Sequence, residues 1–284
     1  MDLPNLSCTP ELIHFGSDAF CVRVLDLPNK GQDRYLVRDG FAAVADGAAP
    51  VKAGGMDVGE FAELCLYTIA DKIAAGEGLR AAVRAAIKTV GLAAPDAAAT
   101  PAATLVAVSH RDGELHFGSF CDASALVLLR DGKIRRTRPD PELARWDSES
   151  SKLMRERVLA GDDLVAARAH CSVDEHLVAQ RYSKNCAGGY WLLADEPAAA
   201  DHLRQMCLPL ASVEAMILGS DGFFRLLDLF GLGARQIFAV ARSGHLDTLG
   251  LILRDLETSA PFAHFSRVSL YDDATAILLD RQAD

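Results

Sequence analysis

Residues 35–50 read YLVRDGFAAVADGAAP, in which an apolar strand over 41–45 runs directly into the acidic turn Asp46-Gly47. A carboxylate at a strand end, next to a glycine, sets hard oxygen donors at a sheet edge and lets a backbone carbonyl approach the same point. The arrangement recurs. Residues 216–220 form a second apolar strand leading into Asp221-Gly222, and Asp272-Asp273 stands just before a last strand over 274–279. Three acidic corners on three strands can converge on one site.

Upstream of this stretch, residues 19–25 read as a first strand, followed by the turn Pro28-Asn29-Lys30-Gly31. Asp33 then lies beside the start of the next strand. Downstream, a glycine-rich loop ends at Gly54-Gly55, and Asp57 with Glu60 three residues on marks a helix start of capping-box type. Val58, Phe61, Ala62, Cys65, Ile69 and Ile73 form its apolar stripe. A second helix carries Leu79, Ala82, Val83, Ala86 and Val90 and closes before Pro95, with a loop over 93–101. Strand-like runs follow over 103–108, 114–120, 125–129 and 133–137. Two Arg-Asp-Gly turns, 111–113 and 130–132, join them as a meander of hairpins. Asp112 and Asp131 are therefore turn residues, whereas Asp122, between two strands, is a candidate ligand.

Residues 139–187 are polar and helical in pattern, as in a surface insertion. An apolar run resumes over 189–193, 198–207 reads as a short helix, and helices fill 223–257 with a stop at Gly244. This order predicts one α+β domain over 1–284. Its architecture is a four-layer αββα sandwich, two mainly antiparallel sheets flanked by helices. No G-x-G-x-x-G opens a helix after a strand, and neither G-x-x-x-x-G-K-[ST] nor G-x-S-x-G is present.

Half of the 284 residues are hydrophobic, enough for a sizeable core. The 29 basic and 39 acidic residues argue against nucleic acid or anionic membrane as partners. The N-terminal 20 residues lack a signal peptide's basic start and apolar core, and no run is long enough to span a bilayer, which predicts a soluble, cytoplasmic protein. Seven scattered cysteines without C-x-x-C fit reduced thiols, mostly core residues, and the eight histidines show no zinc spacing.

Taken in order, GQDRYLV, FAAVADG, ATLVAV, ALVLLRDGKI, MILGSDGF and DDATAILL resemble the metal-dependent Ser/Thr protein phosphatases of type 2C, in particular their divergent bacterial branch. The resemblance runs from Asp33 to Leu279. It implies two Mn²⁺ or Mg²⁺ ions and hydrolysis of phosphoserine or phosphothreonine in a phosphoprotein through a metal-bridged water. Asp46 matches the carboxylate bridging both metals, Gly47 the carbonyl donor, and Asp221 and Asp272 two further ligands. Asp33 matches the second acid of the family's E-D pair, in the second shell. Asp33, Asp122 and Asp273 are additional candidate ligands; Asp273 stands where the family has Asn, which implies a place in the second shell.

The chemistry of the residues agrees: oxygen donors without paired His or Cys suit Mn²⁺ or Mg²⁺. There are departures. Gln32 replaces the family's Glu, Ala48 stands where some members carry His, and G-D-S-R becomes Asp122-Ala123-Ser124-Ala125. The phosphate-binding arginine has no counterpart near Pro28, leaving Lys30, Arg34 or Arg23 as substitutes. These departures favour an alternative, a weak or inactive pseudophosphatase that acts as a sensor or scaffold and binds a partner through 139–187.

Overall fold

The computed structural model of the chain describes residues 11–50, 55–93, 99–262 and 264–282. The signal-peptide reading of the N-terminus, and parts of the loops read before Gly55 and after the second helix, lie outside these residues. Its strands are β1 (Glu11–Phe15), β2 (Asp18–Leu27), β3 (Arg34–Arg38), β4 (Phe41–Ala45), β5 (Gly47–Ala48), β6 (Ala102–Ala103), β7 (Leu105–Arg111), β8 (Glu114–Phe120), β9 (Ser124–Leu129), β10 (Ile134–Arg136), β11 (Arg204–Pro209), β12 (Val213–Gly219) and β13 (Ala274–Arg281). The helices are α1 (Val58–Ala74), α2 (Leu79–Ala93), α3 (Pro141–Leu159), α4 (Leu164–Ala169), α5 (Cys171–Tyr182), α6 (Asp221–Asp228), α7 (Ala234–Arg242) and α8 (Leu246–Ser259).

One sheet has the order β1-β2-β13-β12-β9-β10, the other β11-β8-β7-β4-β3, and β5 pairs with β6. All these ladders are antiparallel. Side-chain alternation builds the layers. In β4, Ala42 and Val44 face the other sheet, while Phe41, Ala43 and Ala45 pack under α1 and α2. In β12, Met216 and Leu218 face inward, and Ala215 and Ile217 pack under α6, α7 and α8. Because both faces of these strands are covered, they read as continuous apolar runs rather than alternating ones. The four-layer αββα sandwich expected from the sequence is present.

Tertiary pairing overrides local pattern at several places. The alternating ELIHF of β1, which buries Ile13 and Phe15, is a strand ahead of the expected first one. The meander is broken: β8 and β9 lie in different sheets. The chain crosses between layers at Cys121, whose φ of 59° turns it without an Asp-Gly signal. The stretch 198–207, expected to be one helix, is divided between a short 3-10 helix, Pro197–His202, and the edge strand β11. Residues 189–193 form only isolated bridges. Asp57 caps α1 through the amides of Gly59 and Glu60.

Helices α3 to α5 occupy the stretch expected to be an insertion, but they carry a small core of their own, Met154, Ala167 and Val173 with Phe262 against it. Of the six described cysteines, Cys21, Cys65 and Cys121 are buried and Cys171, Cys186 and Cys207 exposed, so core cysteines are half rather than most. Among the described residues no helix is long and apolar enough to cross a membrane.

Candidate metal centre

Register brings the acidic corners together. Arg34 pairs with Ala45, so Asp33 and Asp46 flank one end of the β3-β4 hairpin. In the other sheet Gly219 pairs with both Ser124 and Ala276, which places Asp122, Asp221 and Asp272 at one end of three neighbouring strands. The loop from Pro28 to Asp33 joins β2 to β3 and so bridges the two sheets at that end. The carboxylates of Asp33, Asp46, Asp122, Asp221 and Asp272 consequently lie within one another's electrostatic reach.

Two glycines permit this approach by lacking a side chain. A Cβ on Gly47 would meet Val58 Cγ1 at 2.5 Å and the Gln32 carbonyl at 2.8 Å. A Cβ on Gly222, in the first turn of α6, would overlap the carbonyl of Asp273. Neither has a positive φ; the requirement is space, not backbone freedom. Ser220 completes the junction: its amide donates to the Thr275 carbonyl and its Oγ accepts from the Thr275 amide, both at 3.0 Å.

The cluster is electrostatically costly. Burial, then Asp33, Asp221 and further acids, pushes the Asp46 carboxyl well above its ordinary value. Burial and Asp221 do the same to Asp122, and burial and Asp272 raise Asp221 despite the opposing Arg225. Asp33 is raised to about 7, chiefly by burial, with Asp221 and Asp273 adding while the hydroxyls of Ser220 and Thr275 pull downward. The Ser220 and Thr275 hydroxyls approach Asp33 without completing a hydrogen bond to either carboxylate oxygen, the Thr275 hydroxyl donating to Asp26 instead, and Oδ1 of Asp122 likewise has no partner. Buried carboxylates in this state need a cation or a proton.

The remaining expected residues separate into different roles. Asp273 accepts backbone amides from Asn29, Lys30, Gly31 and Gln32, the last three at 2.6, 3.1 and 2.7 Å. Burial works against its charge, but these amides hold its carboxyl below the ordinary value. Both oxygens are thus engaged in fixing the 29–32 loop, a supporting place behind the ligands. Asp272 Oδ1 lies 3.1 Å from Lys30 Nζ, and its Oδ2 accepts from Arg225 at 2.7 Å. Among the described residues no three of the acidic cluster's carboxylates have oxygens all within 4.8 Å of one another. Asp46 and Asp221 are nonetheless close enough to share a proton through a side-chain hydrogen bond.

Of the three basic substitutes, Lys30 alone faces the acids: burial opposes its charge, but Asp272, Asp46 and Asp221 raise its pKa. Arg34 donates to the carbonyls of Gly31 and Asp33 and lies over Gly59. Arg23, opposite Leu278 in the β2-β13 ladder, sits beside Cys21 and Asp280.

Sequence reading missed Asp147. This α3 residue accepts from Gln180 at 2.9 Å. Burial raises its carboxyl to about 6, with Asp221 adding to the rise and the Gln180 hydrogen bond opposing it. The helical segment therefore contributes an acid to the cleft. No local motif marks it, because only the docking of α3 brings it there.

No protein-family profile and no curated protein sequence matches this chain. Solved structures do. The phosphatase MsPP of Mycobacterium smegmatis, in complex with cacodylate, is 19% identical, with 91% of this chain and 97% of that one covered at a TM-score of 0.52. Stp1 of Staphylococcus aureus, a serine/threonine phosphatase, is 13% identical, with 92% and 95% covered at 0.53. The catalytic domain of the phosphatase PstP, with two manganese ions, is 16% identical, with 92% and 99% covered at 0.51. The fold of this chain is that of the type 2C serine/threonine phosphatases.

Proposed function

We propose that this protein is a Mn²⁺- or Mg²⁺-dependent phosphatase that hydrolyses phosphoserine or phosphothreonine in a phosphoprotein. The observation that carries the reading is the convergence of Asp33, Asp46, Asp122, Asp221 and Asp272 at one end of the sandwich, with buried carboxylates raised in pKa and partly unpartnered. A donor set of carboxylates and a carbonyl suits hard divalent ions, and PstP carries two manganese ions on the same fold.

Asp46, the Gly47 carbonyl, Asp221 and Asp272 would hold the ions, with Asp33, Asp122 and Asp147 adding negative charge around them. When bound, the ions supply Lewis-acid charge for phosphoryl oxygens and lower the pKa of water toward neutrality. Asp273 fixes the 29–32 loop, which presents the Lys30 ammonium to an incoming phosphate. Arg225 anchors Asp272 and is itself paired with the fully buried Glu257 at 2.7 Å.

The test is turnover of p-nitrophenyl phosphate with Mn²⁺, with Mg²⁺ and with chelator, in wild type, Asp46→Asn and Asp221→Asn. Metal-dependent turnover in wild type, lost in both folded variants, is expected. A second reading, a partner-binding scaffold without turnover, rests on Asp272 being engaged by both Lys30 and Arg225. Folded wild type that neither turns over nor binds Mn²⁺ by calorimetry would establish that reading instead.

A further inference from the structure

A second cluster of metal-ligating side chains lies at the far end of the sandwich. His116 pairs with Cys207 across the β8-β11 ladder, and Glu114 pairs with Pro209 two positions along. Leu115 and Phe117 of β8 point into the core between the sheets, so Glu114 and His116 share the outer face with Cys207. Cys207 Sγ lies 2.9 Å from His116 Nδ1 and 3.8 Å from Glu114 Oε2, and Glu114 Oε2 is 4.0 Å from His116 Nε2. One donor atom from each residue lies within 4.8 Å of the other two.

We infer that Glu114, His116 and Cys207 form a three-donor site for one borderline-soft divalent ion, Zn²⁺ by preference, separate from the acidic cleft. Zinc bonds of about 2.0–2.3 Å in a tetrahedron separate ligand atoms by roughly 3.3–3.7 Å; the distances from Cys207 Sγ to His116 Nδ1 and Glu114 Oε2, 2.9 and 3.8 Å, bracket that range, so small side-chain shifts would seat the ion. The pairing of thiolate and imidazole selects zinc over magnesium or manganese, which favour the all-oxygen set at the other end.

The strand keeps the two sites apart: from His116 to Asp122 the chain advances on the order of 20 Å. Three protein donors leave a fourth position open to water. His116 borders a cleft of about 430 Å³ between the start of α2 and the sheet, lined also by Gly78, Leu79, Arg80 and Ser109. The ion would join the edge strand β11 to β8 by side chains, beyond the ladder hydrogen bonds.

Cobalt distinguishes this site from the carboxylate centre, because only a thiolate ligand gives a sulfur-to-cobalt charge-transfer band in the near ultraviolet. Reduced, chelator-treated protein is titrated with Co²⁺ and then with Zn²⁺ or Mg²⁺. One equivalent of Co²⁺ should develop the band, which Zn²⁺ abolishes and Mg²⁺ leaves. Cys207→Ser and His116→Ala should lose it, whereas Asp46→Asn and Cys171→Ser retain it. Loss of a direct ligand should weaken Zn²⁺ binding by at least the about tenfold that losing an outer-shell partner costs. Glu114→Gln, an exposed and conservative change, should weaken it likewise. Absence of the band in wild type, or its persistence in Cys207→Ser, would overturn the assignment.

Discussion

The backbone carbonyl of Asp273 occupies the space that a Cβ on Gly222 would take, so the acidic corner at Asp221 and the one at Asp272 are interlocked through a glycine. Gly222→Ala must push these segments apart. Overpacking of this kind costs about 1–3 kcal/mol. Denaturant unfolding should show that loss, and calorimetry should show weaker Mn²⁺ binding than wild type. Unchanged stability would mean that the junction yields freely.

The acidic cleft makes stability depend on pH with a definite sign. Asp33 titrates at about 7 in the fold against an ordinary 3.8, so between these values the folded chain binds the extra proton. Stability must therefore fall as pH rises through that window, and the raised Asp46 and Asp122 act in the same direction. Chelator-treated protein should melt lower at about pH 7.5 than at about pH 5, with Mn²⁺ stabilising it more at the higher pH. Thermal melts at both values check this.

Lys30 neutralises acids that divalent ions would otherwise neutralise. Lys30→Met should bind Mn²⁺ at least as tightly as wild type, because a competing charge is gone. It should bind phosphoester about tenfold less well, the loss of one hydrogen bond to a charged group. Calorimetry gives the first quantity and KM the second; a variant weakened in both would contradict the role.

Asp147 reaches the cleft from α3. Asp147→Ala should weaken divalent-ion binding about tenfold, as loss of an outer-shell partner does. Asp147→Asn separates charge from structure, since it retains an acceptor for Gln180. If the carboxylate charge matters, Asn should bind as poorly as Ala; wild-type binding in the Asn variant would make the role structural.

What the sequence determined by itself was periodic or locally punctuated. The buried strand before Asp46, the helical stripe from Val58 to Ile73, the turns at 111–113 and 130–132, and the stop at Gly244 follow from side-chain pattern and turn chemistry. The residue order that resembles the type 2C phosphatases also contains Asp33, Asp46, Asp122, Asp221 and Asp272, which the fold gathers at one end.

What only the tertiary structure decided was pairing across distance. Cys121 sends β9 into the other sheet, Asp273 turns to the 29–32 amides rather than the cleft, and Asp147 arrives by the docking of α3. Cys207 meets His116 across 91 residues of chain, a juxtaposition invisible to any spacing rule. Local preference acts over a few residues, whereas strand register and helix docking are set by burying whole faces against one another.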